Sequence, residues 1–186
     1  MESPLLLSRR AVISAATMSA SVAIVAPWSA FAASKVDNEI DKALRQLYAE
    51  APAAKDLSTR ATAILVFPRI TKAGFLFGGA YGEGVLRKDG VDVANYNSVA
   101  ASYGLQAGVQ SFGYALFFMN DQALSYLDNS AGWEIGSGPS VVVVDKGAAK
   151  KLSSTTLTQD VYAFIFGQKG LMAGLGLEGT KISRIR

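Results

Sequence analysis

Glu83 sits in a run of glycines, Gly79-Ala80-Tyr81-Gly82-Glu83-Gly84, and Glu178-Gly179 repeats that setting near the C-terminus. A carboxylate in such a place can act as a general acid or base. It can equally be a solvent-facing strand residue or an ion-pair partner, the commoner fate of a glutamate. Little else in the chain offers catalysis. There is no histidine and no cysteine, which excludes Ser-His-Asp and Cys-His nucleophiles and any site needing imidazole. No S-x-x-K pair stands out at a strand-to-helix turn. Among the cations, Arg69 and Lys72 flank one glycine-rich stretch and Lys169 precedes another. Cations so placed can meet a phosphate. Lys146, Lys150 and Lys151 read as a solvated loop.

The glycines do not spell a phosphate loop. A Walker loop needs G-x-x-x-x-G-K-[ST], which is absent. Gly79 to Gly84 reverses the G-x-G-x-x-G spacing and leads into a hairpin rather than a βα unit. A pattern of glycines four apart occurs three times: Gly74 to Gly78, Gly104 to Gly108 and Gly170 to Gly174. In a strand, residues i and i+4 share a face. Each pair is therefore expected to bare one face, and Gly79, Gly82 and Gly84 extend the effect. Glycine inside a strand usually marks a bend, a bulge or close approach of another backbone or ligand. Phe75, Phe77, Phe112, Phe117 and Phe118 are expected in the core.

These residues must be positioned by a mostly β chain. Val36, Ile40, Ala43, Leu44, Leu47, Tyr48 and Ala51 recur at helical spacing in the segment 34–51, with Ser34 as a candidate cap. Its net charge of −1 favours packing on the core over lying on a membrane. Pro52 ends that helix and a short second one follows. The run TAILVFP reads as a buried strand stopped by Pro68. Residues 73–87 read as one long strand and 98–119 as another, with a tight turn at Lys88-Asp89-Gly90. A short helix capped by Asn120 or Asp121, a four-valine strand and a strand in TLTQDVYAFIF come next. The predicted class is α+β: a strongly curved antiparallel half-barrel or barrel with N-terminal helices packed on it.

The N-terminus reads as an export signal over residues 1–32, ahead of a single domain at 33–186. Arg9 and Arg10 form its positive region, in a setting like the bacterial twin-arginine signal, with an ordinary secretory signal as the alternative. Ala30 and Ala32 frame an A-x-A cleavage site, and the expected location is the periplasm. An uncleaved anchor is disfavoured by Pro27. Without cysteine the exported domain has neither disulfide nor acylated cysteine. Removing residues 1–32 takes away Glu2, Arg9 and Arg10 and leaves 16 basic against 14 acidic side chains. That balance is not one of a nucleic-acid binder.

The stretch VFPRITKAGFLFGGAYGEGVL resembles the signature of the SYLF family, the lipid-binding module also described as the Las-seventeen-binding actin regulator. SYGLQAGVQSFGYALFFMNDQAL and VYAFIFGQKGLMAGLGLEGTKI resemble its second and third blocks, in order, from about Leu44 to Ile185. The resemblance implies a non-enzymatic domain that needs no cofactor or metal and binds phospholipid. Of the candidate headgroup contacts Arg69, Lys72 and Lys169, Lys72 lies inside FPRITKAG, matches the family motif and is the foremost. For an exported bacterial chain the partner carried over is anionic phospholipid or a membrane surface, while actin, bound by some relatives, is not expected. The alternative is a structural or interaction protein that uses a β-edge or the N-terminal helix to bind a protein partner or itself.

Overall fold

The computed structural model describes residues 28–74, 77–103, 108–129, 132–144, 158–170, 177 and 179–185, with side-chain surroundings from residue 38 onward. Helix α1 (Trp28–Glu50) is followed by α2 (Pro52–Ser58), which carries proline in its first turn, where the missing N–H costs nothing. Four strands come next: β1 (Ala63–Gly74), β2 (Phe77–Lys88), β3 (Val91–Tyr103) and β4 (Gly108–Phe118). Helix α3 (Asp121–Asn129) precedes β5 (Trp133–Glu134), β6 (Val141–Val144), β7 (Val161–Gly170) and β8 (Lys181–Ile185). All eight strands join one sheet in the order β5-β8-β3-β2-β1-β4-β7-β6. Every pairing is antiparallel except β6 on β7, which is parallel.

The sheet is curled into a half-barrel. The Tyr114 hydroxyl of β4 donates to Ser98 Oγ of β3 across 2.7 Å. Those strands stand three places apart in the sheet, a separation of about 14 Å if it were flat. Only strong curvature brings them together. Inside the curl lie Leu65, Phe67 and Ile70 of β1, Phe112, Leu116 and Phe118 of β4, Trp133 of β5 and Ile182 of β8, with Leu124 and Leu127 of α3 against them. On the outer face Ile40, Leu44 and Leu47 of α1 and Leu57 of α2 pack on Ile64, Val66, Val85, Phe117, Phe164 and Phe166. The amphipathic stripe of α1 is thus spent on the core.

Polar contacts fix that docking. Arg87 binds Asp41 of α1 at 2.6 Å and Asp92 of β3 at 2.5 Å. The Gly167 N–H donates to the Glu50 carboxylate at the end of α1. Asn120 caps α3 by accepting from the Ala123 N–H at 2.8 Å, as expected. Asp89 and Gly90 both take positive φ, 51° and 79°, as a two-residue hairpin turn between right-twisted strands demands.

Several boundaries differ from expectation. Helix α1 starts at Trp28 rather than Ser34, because Ser-Ala-Phe-Ala-Ala contains nothing that stops a helix. Segment 73–87 is not one strand: Ala73 and Gly74 end β1, and the chain has reversed by Phe77. Segment 98–119 is likewise divided between β3 and β4. Residues 158–160 of the TLTQDVYAFIF run precede the strand rather than join it.

Candidate functional site

The site begins with Pro68. The expectation that it stops its strand is overturned, since β1 runs through it to Gly74. Proline has no N–H for a ladder, so inside a sheet it needs a bulge. Here the register shifts between Val66 and Arg69 against β2 and between Phe67 and Ile70 against β4. Pro68 is the extra residue against both neighbours. The bulge crowds the adjoining strands, and glycines yield the room. A Cβ on Gly82 would collide with the Arg69 carbonyl, and one on Gly84 would lie 2.5 Å from the Val66 carbonyl oxygen. On the other side, a Cβ on Gly113 would lie 2.6 Å from the Phe166 ring and 3.1 Å from the Pro68 oxygen. These glycines accept the chain's own backbone, and the curl follows from the bulge.

The glycine pairs spaced by four also change meaning. Gly74 and Gly78 do not share one strand face. They are partners across the β1–β2 hairpin, where a Cβ on Gly74 would come within 2.5 Å of the Gly78 Cα. Gly79 lies on the outer face with nothing nearer than 3.7 Å, and Gly108 opens β4 with open space around it. Gly170 ends β7 opposite Gln110. Gly104 and Gly174 lie outside the described residues.

Past the bulge, α1 and α2 no longer cover the outer face, which shows a row of directly opposed residues. The row runs Lys181 (β8), Val99 (β3), Tyr81 (β2), Thr71 (β1), Ser111 (β4) and Lys169 (β7). Beside it Ala101, Gly79, Ala73 and Val109 form a second row, with Phe77 at the tip. Phe77 is 73% exposed, Val109 65% and Tyr81 51%, so this end presents large apolar groups to solvent. Lysines stand at both ends of the first row. Arg69 follows on the same face, opposite Glu83. The Glu83 carboxylate accepts from the Tyr81 hydroxyl at 2.7 Å, which raises the phenol's pKa.

The three expected cations therefore do not converge. Arg69 and Lys169 share the outer face, while Lys72 lies on the face of Ile70, inside the curl, opposite Gln110 of β4. Gln110 is 2% exposed and its Oε1 has no hydrogen-bond partner. Among the phenylalanines, Phe112, Phe117 and Phe118 are core as expected. Phe77 is not, since the early reversal leaves it at an uncovered hairpin end; Phe75 lies outside the described residues. The sequence reading missed Gln110, Val109, Lys181 and Gly113. Period-two alternation in GVQSFGYALFF, once begun at Gly108, would have separated Val109 from Gln110.

Glu83 stands exposed in strand β2 with Tyr81 as its partner, the solvent-facing reading of that residue. Glu178, Lys146, Lys150 and Lys151 lie outside the described residues, as do Arg9 and Arg10; Ala30 and Ala32 fall in the first two turns of α1. Among the described residues no group of three acidic side chains is arranged for a metal, and no helix is long and apolar enough to cross a membrane. A cavity of about 320 Å³ beside α3 is lined by Gln122, Tyr126, Pro139 and Asp160. The Asp160 carboxylate there accepts from Asn120 and from Ser140, which holds its pKa below the ordinary range. It is already committed to tying the α3 entry to the β6 entry.

The curled sheet thus carries α1 and α2 on one part of its outer face and a basic-apolar surface on another. A family model described as Ysc84, Las17-binding protein actin regulator, matches residues 99–185. Over that stretch the chain is similar to the SYLF family, whose members are modules compatible with lipid or actin-related binding. A search of curated proteins gave no match. The matched stretch begins within β3, yet β1 and β2 occupy the middle of the same sheet. The structural unit is therefore larger than the matched stretch.

Proposed function

We propose that the chain is a non-enzymatic, anionic-phospholipid-binding module that seats the uncovered outer end of its half-barrel on a membrane surface. The observation that carries this is the pairing of exposed Phe77, Tyr81, Val99 and Val109 with Lys169, Lys181 and Arg69 on one face. Contiguous apolar exposure marks an interaction surface. Cations at its rim suit a surface of phosphate headgroups, each contributing about 1 kcal/mol when close to it. The export reading of residues 1–32 supports a place in a bacterial cell envelope. Intact mass of the exported protein tests that part, with a mature N-terminus at Ala33 expected.

Co-sedimentation with anionic and zwitterionic vesicles tests the binding. The wild-type chain is expected to pellet with anionic vesicles, less at high salt, as screening requires. Reversal of Arg69, Lys169 and Lys181 to glutamate is expected to weaken that binding more than ten-fold, because three favourable contacts become repulsive. Binding unchanged by the triple reversal contradicts the proposal. A second reading has its own observation. Strand β6 is an edge of the described sheet, and Val142 and Val143 on it are exposed. Such an edge can accept a partner strand. A concentration-dependent dimer on gel filtration, abolished by Val143→Pro, would favour it.

A further inference from the structure

The cavity beside α3 lies at the other end of the sheet from the uncovered outer surface. Strand β4 runs eleven residues from Gly108 at that surface to Phe118, a length of about 35 Å. Just past its far end the Met119 N–H donates to the Asp160 carbonyl at 2.9 Å. The cavity holds about 320 Å³ and is lined by Gln122, Ala123 and Tyr126 of α3, by Gly138 and Pro139, and by Asp160. Tyr126 is 41% exposed, and its ring is seated against the backbone of Gly138, where a Cβ would come within 2.5 Å of it. The Asp160 carboxylate accepts from Asn120 Nδ2 at 2.8 Å, from the Ser140 hydroxyl at 3.0 Å and from the Ser140 N–H at 3.1 Å. All three donors are neutral, and no described cation pairs with it. Those donors, Asn120 foremost, hold its pKa below the ordinary range, so the negative charge persists at neutral pH.

The cavity thus joins an uncompensated carboxylate to an aromatic ring and two small apolar walls. That chemistry calls for a cation, and the hydrogen bonds decide which kind. A carboxylate offers about four acceptor positions, and three on Asp160 are taken. A primary ammonium brings three N–H donors and a guanidinium five, where Asp160 has room for about one. A quaternary ammonium brings charge and no donors. Its methyl groups suit Ala123, Pro139 and the Tyr126 ring, and the face of such a ring attracts the charge. We infer that this cavity is a subsite for a quaternary ammonium group, with its charge met by Asp160 and its methyl groups by Tyr126, Ala123 and Pro139. The group can belong to a soluble solute such as choline or to the headgroup of a choline lipid. The inference does not rest on the membrane-binding reading, which uses the opposite end of the sheet.

The test is an NMR titration of the full chain with tetramethylammonium chloride at constant ionic strength, with sodium chloride as the reference. A saturable shift of the Tyr126 ring and Gly138 N–H resonances is expected, with none from sodium. Tyr126→Leu is expected to weaken binding about three-fold, the worth of one exposed cation–π contact, while Tyr126→Phe keeps the ring face and binds as the wild type does. Asp160→Asn removes the charge and is expected to weaken binding roughly ten-fold. That variant can also loosen the loop that Asp160 holds, so the Tyr126 pair decides the matter where it does. Methylammonium, equal in charge but rich in donors, is expected to bind more weakly than tetramethylammonium. Displacement of tetramethylammonium by choline, but not by phosphatidylcholine vesicles, would assign the site to a free solute. Displacement by those vesicles in the wild type, lost in Tyr126→Leu, would assign it to the lipid headgroup. A shift that does not saturate, or one that sodium reproduces, overturns the inference. Binding undiminished in Tyr126→Leu, or methylammonium bound as tightly, overturns it too. None of these outcomes bears on the outer face, whose own test uses anionic vesicles.

Discussion

Gly82 and Gly84 make the curl of the sheet possible, because each lies against a carbonyl of the bulged strand beside it. Adding a methyl group at either position forces that backbone to move. Gly82→Ala or Gly84→Ala is expected to cost about 2 kcal/mol in urea unfolding, within the range for overpacking. Gly79→Ala is the control: a Cβ there meets only the Ala100 oxygen at 3.7 Å, and the expected change is within about 0.5 kcal/mol. Equal costs at all three positions would contradict this account of the glycines. The sequence marked these residues as unusual, but it could not say what they make room for. They make room for the residues on either side of Pro68, which itself lies fourteen or more positions earlier, and a local reading saw in that proline only a stop. Gln110 was illegible for a related reason, since its burial is set by pairing with distant strands.

At the scale of elements, α1 is a packing helix. Ile40, Ala43, Leu44 and Leu47 were readable as an apolar stripe, and the stripe is buried on the sheet. Leu47→Ala is therefore expected to lower stability by about 2–5 kcal/mol, as full burial implies. At temperatures where that variant remains folded, its binding to anionic vesicles should match the wild type. Loss of vesicle binding without loss of stability would place α1 on the membrane instead. Hairpin ends were harder to read than helices. Asp89-Gly90 announced its turn, but the reversal between Gly74 and Phe77 sits in an apolar run and carries no such dipeptide. That missed turn concealed Phe77 as an exposed group, and the missed division of 98–119 between β3 and β4 concealed Val109.

For the whole molecule, the α+β half-barrel was legible from alternation and helical spacing, because those patterns report which face is buried. The strand order was not, nor was the parallel β6 pairing, since both depend on contacts far apart in sequence. The curl also sets the pH response. Burial, aided by Asp128, raises the Tyr96 pKa, and burial raises that of Tyr114 against the opposing hydrogen bond to Ser98. Both are acids whose folded values exceed the unfolded value of about 10. Their contribution is full below about pH 10 and is lost as pH rises further. Stability should therefore fall above about pH 10, and Tyr96→Phe with Tyr114→Phe should flatten that fall. An alkaline limb unchanged in the double variant would contradict the assignment.

The central claim is that the outer end of the sheet meets the membrane. The chain has no cysteine, so single cysteines can carry an environment-sensitive fluorophore without other changes. Probes at Val109 on the outer end, at Arg45 on α1 and at Ser125 on α3 would be compared on anionic vesicles. The account predicts a blue shift and quenching by a lipid-phase quencher at Val109, with little change at Arg45 or Ser125. A response at Arg45 or Ser125 with none at Val109 would contradict it.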